Sequence, residues 1–219
     1  MFRSLTFGFL LIWNYHAFTQ NVKNIELAPK GVYAEVDVEV SNGLVNFLTR
    51  GEADVKQKAA EEVLKNPNNY NPTVLFALSQ VLFNSDKKDQ ACFWFYVAQL
   101  RARYDANRCM DITATSGLAV LNEQYGTTIN QYAFKDINKL KETVKSVVSF
   151  VRSNEENYDP RWMNLHGMDA INASLDKEDN KKTKQKELSQ PKAEWKAIKE
   201  KTINDYFADF QEFLKSLKK

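Results

Sequence analysis

Six residues within one short stretch are the best equipped in this chain for chemistry: Gln99, Arg101, Arg103, Asp105, Arg108 and Asp111. Arginine carries a planar fork of donors that matches the oxygens of carboxylates and phosphates, so the set could recognise an anionic group. It could equally tie one helix to its neighbours. Arg101 and Asp105 are four apart and Arg108 and Asp111 three apart, spacings at which side chains meet on a helix surface. Exposed pairs of this kind contribute only about 0–1 kcal/mol. Continuing a helix that must be buried, they read first as a partly desolvated structural network and second as a recognition pocket.

The need for burial comes from the residues just before them. Phe93, Trp94, Phe95 and Tyr96 are consecutive and point to all sides of a helix. Burying one such side chain stabilises by roughly 1.5–3 kcal/mol, so no face of this helix belongs in water. Trp94 and Tyr96 also offer polar handles, which would suit the aromatic wall of a ligand groove.

A second dense patch combines Tyr158, Asp159, Arg161, Trp162 and His166. His166 could serve as a base only beside a nucleophile. The chain has no G-x-S-x-G, no Gly-rich phosphate loop and no zinc-ligand spacing, so no cofactor, metal or catalytic set is expected. His166 reads as a partly buried histidine near Trp162. An enzyme would have to bring Arg101, Arg103 or Asp105 into one cleft with His166. Cys92 and Cys109 are even in number but sit toward opposite ends of a helical stretch. Cys92 to Tyr104 alone rises about 18 Å, against the roughly 7 Å Cα separation a bridge allows, and two free thiols are expected.

These residues must be positioned by helices. Apolar residues recur at helical spacing over 54–65, 72–84, 87–104, 107–125, 137–151, 159–173 and 192–218. Asn66 to Asn71 is a loop, Pro72 suits a first turn, Asp136 a cap, and Gly126 the close of the fourth helix. Val32 to Val40 alternates like a short N-terminal strand, yet Val36, Val40, Leu44, Phe47 and Leu48 also share a helical face. The expected fold is a single all-α bundle of about seven helices. The pair spanning 72–104, with Leu75, Leu78, Ala91, Trp94 or Phe95, and Ala98 around the turn NSDKKDQA, resembles a tetratricopeptide or Sel1-like hairpin. That resemblance implies an α-hairpin scaffold used for protein binding, and no particular chemistry.

Residues 1–19 read as a signal peptide. Met1-Phe2-Arg3 is a basic start, Leu5 to Trp13 an apolar run too short to span a bilayer, and Ala17-Phe18-Thr19 a cleavage-like site. The helical domain then covers 20–175, a lysine-rich loop 176–191, and an amphipathic helix 192–219 that docks back on the domain. Net charge is +2 from 30 basic and 28 acidic residues, which recommends neither nucleic acid nor an anionic membrane as partner. No transmembrane segment is expected in the mature chain. Asn172-Ala173-Ser174 is a glycosylation sequon, meaningful only in a eukaryotic secretory pathway. These features suggest an exported, periplasmic or extracellular, non-enzymatic protein that binds another protein, for instance an immunity-type neutraliser of a secreted toxin. The rivals are an enzyme, or a small-ligand carrier, using an Arg/Asp/His cleft near the aromatic core.

Overall fold

Local sequence starts the helices where capping chemistry allows. Asn71 accepts a hydrogen bond from the Thr73 amide at 3.1 Å and Pro72 fills the first turn of α3 (Pro72–Asn84). Asp136 does the same for α6 (Ile137–Ser153) through the Lys139 amide at 3.0 Å. The computed structural model describes residues 28–176 and 186–217. The signal-peptide expectation for 1–19 therefore lies outside the described residues. Among them are eight α-helices and no paired strands: α1 (Glu39–Arg50), α2 (Ala53–Lys65), α3, α4 (Lys88–Arg108), α5 (Ser116–Ala133), α6, α7 (Met168–Leu175) and α8 (Trp195–Ser216). Short 3-10 turns separate several of them. The chain is an all-α, single-domain bundle.

The centre is α4. Ala91, Phe95, Val97, Ala98, Leu100 and Ala102 have no exposed surface, and Trp94 and Tyr96 are buried. A helix with aromatic rings pointing to every side has to be surrounded, and α3, α5, α6 and α8 pack around it. Phe95 meets Phe76 of α3 edge-on at 5.5 Å, and Trp94 meets Phe150 of α6 edge-on at 5.5 Å. The C-terminal helix α8 packs against α4 and α6, with Thr202, Ile203, Tyr206, Phe210 and Leu214 buried.

Several sequence expectations are corrected. No strand forms at 32–40: Gly31–Glu35 is a 3-10 turn and α1 follows from Glu39, because an isolated strand finds no partner for its backbone groups. The buried face of α1 is rotated from the one expected. Ser41 and Leu48 are buried, whereas Val40 and Phe47 are exposed. The central helix runs on to Arg108, and Cys109 follows it as its cap rather than opening the next helix. Gly126 does not close a helix; it lies inside α5, where a Cβ would come within 3.0 Å of the Phe95 ring. Close helix packing, not a turn, is what needs glycine there. Pro160–His166 is a 3-10 turn, and Gly167 separates it from α7. Of the expected loop 176–191, residues 177–185 lie outside the described set, while Lys186–Pro191 is fixed. Met110 N–H donates to Leu188 O at 3.1 Å and Gln190 N–H to Arg108 O at 2.8 Å, and Leu188 is buried.

Candidate binding groove

The six polar residues of α4 and its exit divide into four separate arrangements. Arg101, Asp105 and Arg108 are buried, with Arg101 and Asp105 having no exposed surface. Asp105 is the hub. Its Oδ1 accepts from Arg108 Nε at 3.2 Å and Nη2 at 2.5 Å, and its Oδ2 from Tyr158 OH at 3.0 Å and Trp162 Nε1 at 2.7 Å. The Arg108 guanidinium lies between two aromatic faces, 4.1 Å from the Tyr104 centroid and 4.6 Å from that of Trp195. Burial pushes the Asp105 carboxyl up, toward its neutral form. Burial also opposes the charge on Arg108, yet the Asp105 carboxylate beside it holds its pKa above the usual arginine value. These directions favour opposite protonation states of the pair. Four donors converging on one carboxylate decide for the ionised form.

The expected Arg101–Asp105 pairing is not made. Arg101 turns away from Asp105 to Pro67 O at 3.2 Å and Asn68 Oδ1 at 2.5 Å, and lies 3.7 Å from Glu156. Glu156 also pairs with Lys199 of α8 at 3.1 Å. Arg108 does not reach Asp111 either, because α4 ends at Arg108 and the chain turns. Asp111 instead accepts from Thr113 N at 2.9 Å, Thr113 Oγ1 at 2.6 Å and Asp169 N at 3.1 Å. Both pairs were expected from helical spacing alone, which ignores loop carbonyls and donors arriving from other elements.

The second patch is dispersed too. Arg161 binds Asp159 through Nη2 at 2.7 Å and reaches Glu35 O at 3.1 Å. Trp162 is buried under Asp105, and His166 is exposed rather than partly buried. His166 lies against Gly117 and edge-on to Trp162 at 5.6 Å. The Trp162 indole, with Asp105 at its N–H and His166 against its ring, separates the two. Arg101 and Asp105 are sealed from solvent, so no cleft joins them to His166. Both cysteines are free and buried, and burial pushes each thiol up to about 11. Among the described residues no three His, Cys, Asp or Glu side chains gather as metal ligands.

What remains is a groove. Tyr96, Gln99 and Arg103, spaced i, i+3, i+7 on α4, form its floor, and Leu118 and Asn122 of α5 one wall. Tyr206, Asp209, Phe210 and Phe213 of α8 form the other, and Phe134, Leu140 and Val144 complete the lining. Its volume is about 470 Å3, and it is partly open rather than an enclosed cavity. Uncharged polar groups cross the floor. Tyr206 OH donates to Gln99 Oε1 at 2.9 Å, Gln99 Nε2 to Asn122 Oδ1 at 3.0 Å, and Tyr96 OH to Asn130 Oδ1 at 2.9 Å. Arg103 Nη2 meets Asp209 Oδ2 at 2.8 Å at the mouth. Phe134 and Phe213 face one another with centroids 5.5 Å apart. No protein-family model, curated protein or solved structure matches the chain. The groove's own chemistry is therefore the guide to function. Sequence reading named Tyr96, Gln99 and Arg103 but missed Asn122, Phe134, Tyr206 and Phe213. The near-helical spacing of Tyr206, Phe210 and Phe213 was visible, but that it faces Gln99 was not.

A broader hollow of about 770 Å3 lies between loop 156–161 and Lys186–Lys192. Several of the charges along it are already matched, Glu156 with Lys199, Asp159 with Arg161 and Lys186 with Asp169. Among the described residues no helix is long and apolar enough to cross a membrane.

Proposed function

We propose that this chain is an exported, non-enzymatic binding protein that holds another protein in the groove between α5 and α8. The observation carrying this reading is the groove itself, an aromatic slot whose floor carries hydrogen-bonding groups and the Arg103–Asp209 ion pair, placed beside a network whose catalytically capable groups are sealed. Arg101 and Asp105 have no exposed surface, so neither meets a substrate without the core opening. An immunity-type protein that neutralises a secreted toxin is one concrete form of this role, supported by size, the signal-like N-terminus and helical character. The test is capture from the native host with wild-type protein, Phe213→Asp and Glu212→Lys. A partner held by the wild type and lost from both variants supports the reading. A partner retained equally by all three refutes this groove as the binding site.

A small-ligand carrier is the second reading. The volume of about 470 Å3 falls within the range of ligand pockets, roughly 300–1,000 Å3. Against it, such pockets bury about 70–90% of a ligand, and this one is only partly enclosed.

A further inference from the structure

We infer that the exposed face of α1 is a contact surface for a second copy of this chain, with two α1 helices joined antiparallel about a two-fold axis. None of its residues lines the groove, so the inference stands apart from the binding reading above. Among the helices α1 packs chiefly on α2 and α3, which leaves it at an edge of the bundle. Ser41 and Leu48 are its buried residues. At 3.6 residues per turn, Glu39, Val40, Gly43, Leu44, Phe47 and Arg50 share about 140° of the circumference away from them. Val40 is 65% and Phe47 54% exposed, and Leu44 is half-buried beside them. Single exposed apolar side chains are ordinary, but these two lie in one row on an edge helix, with no side chain at Gly43 between them.

Three observations name a second copy as the occupant. The first is Gly43. Glycine inside a helix weakens it relative to alanine. Nothing in the fold requires it here: a Cβ would meet nothing within 4 Å, and its φ is not positive. It leaves a notch in the stripe. The second is register. In an antiparallel pair centred on the middle of α1, Phe47 falls over the partner subunit's Gly43, and symmetry repeats the contact. One helix therefore supplies both the knob and the notch, as a two-fold interface requires. The third is charge. The same register sets Glu39 beside the partner subunit's Arg50 at each end of the contact. Both residues are exposed, and among the described residues neither has an ion pair or side-chain hydrogen bond. A parallel pair would instead oppose like charges. Exposed ion pairs add little affinity but fix orientation. A helix of 12 residues is about 18 Å long. A contact of that length falls short of the roughly 800 Å2 per partner of a standard interface, so the dimer is weak, with a Kd on the order of 10–100 µM.

The test is sedimentation equilibrium of the full chain from about 1 to 500 µM, a range that brackets the expected Kd. A monomer–dimer equilibrium is expected, with nothing larger, because a two-fold contact closes at two copies. Each substitution counts twice across that contact. Phe47→Ser should weaken association by about tenfold or more, the scale of losing one interface anchor. Arg50→Glu should weaken it by at least about threefold at low salt. The double variant Glu39→Arg with Arg50→Glu should recover most of that loss, although both changes oppose the helix dipole and so disfavour α1 itself. Recovery in the less stable protein separates an interface from a folding defect, and thermal melts at about 1 µM record the stability of each monomer. A monomer at every concentration overturns the inference and leaves the stripe to a different protein or to another part of the chain. Association unchanged by Phe47→Ser, or a double variant no tighter than Arg50→Glu alone, overturns it too. Growth beyond the dimer overturns the two-fold arrangement. The groove between α5 and α8 is untouched by any of these results.

Discussion

Replacing Asp105 by alanine removes one acceptor group on which four hydrogen bonds converge. The buried Arg108 guanidinium loses its counter-charge, and the Tyr158 hydroxyl and Trp162 indole lose their acceptor. Removing one partner of a buried ion pair costs about 3–5 kcal/mol. Orphaning a buried donor costs about 1–3 kcal/mol more. The losses share one site and are not additive, so about 5 kcal/mol is expected. Domains have only about 5–15 kcal/mol in total, so Asp105→Ala should be near the folding threshold. In a chain of this size each kcal/mol shifts the Tm by about 2–4 °C, giving a fall of about 10–20 °C. Urea denaturation followed by tryptophan fluorescence reports this directly, since Trp162 and Trp195 flank the site. A companion double variant, Asp105→Leu with Arg108→Met, removes both charges and should lose less than Asp105→Ala. A loss below about 1 kcal/mol for Asp105→Ala would refute the hub, because no uncompensated buried charge is that inexpensive.

Other outcomes follow from the same structure. Burial opposes the charge on Asp111 and Asp159, but Thr113 and the Asp169 amide for the first, and Arg161 for the second, lower both pKa values below the ordinary carboxylate value. Their folded pKa lies below the unfolded one, so their contribution is present above about pH 4 and is lost as pH falls through the folded values. Stability measured by denaturant midpoint should be flat near neutrality in this respect and fall in that acid window. With both thiols pushed up to about 11, Cys92 and Cys109 should react slowly with a thiol reagent at neutral pH in the native protein and fully, as two thiols, in denaturant. Gly167→Ala should destabilise by about 1–3 kcal/mol, because a Cβ there would overlap the Asp111 carboxylate. Gly43→Ala in α1, where a Cβ meets nothing within 4 Å, should stabilise by up to about 1 kcal/mol, as thermal melts of the two variants will show.

Much of the fold is legible in the sequence because its signals are local. Asn71-Pro72 and Asp136 mark helix starts through bonds to amides two or three residues away. The aromatic run 93–96 forces burial of that part of α4 whatever surrounds it, since its four rings point to all sides of the helix. Free cysteines follow from helix length. Composition and apolar periodicity are enough to give an all-α bundle with a docked last helix.

Other features depend on groups distant in sequence, and only the tertiary structure decides them. Arg101 turns from Asp105, four residues away, to Asn68 and Pro67, more than thirty away, because loop oxygens reach it in the core. Asp105 gathers Tyr158 and Trp162 across more than fifty residues. Gly126 looks like a helix stop and is instead a gap for the Phe95 ring. The groove joins Gln99 to Tyr206 across 107 positions, and neither residue alone announces it. Helix periodicity determined which faces of this protein had to be buried. Which helices met, and where α5 and α8 left a slot between them, was decided by long-range packing, whose partners no local pattern encodes.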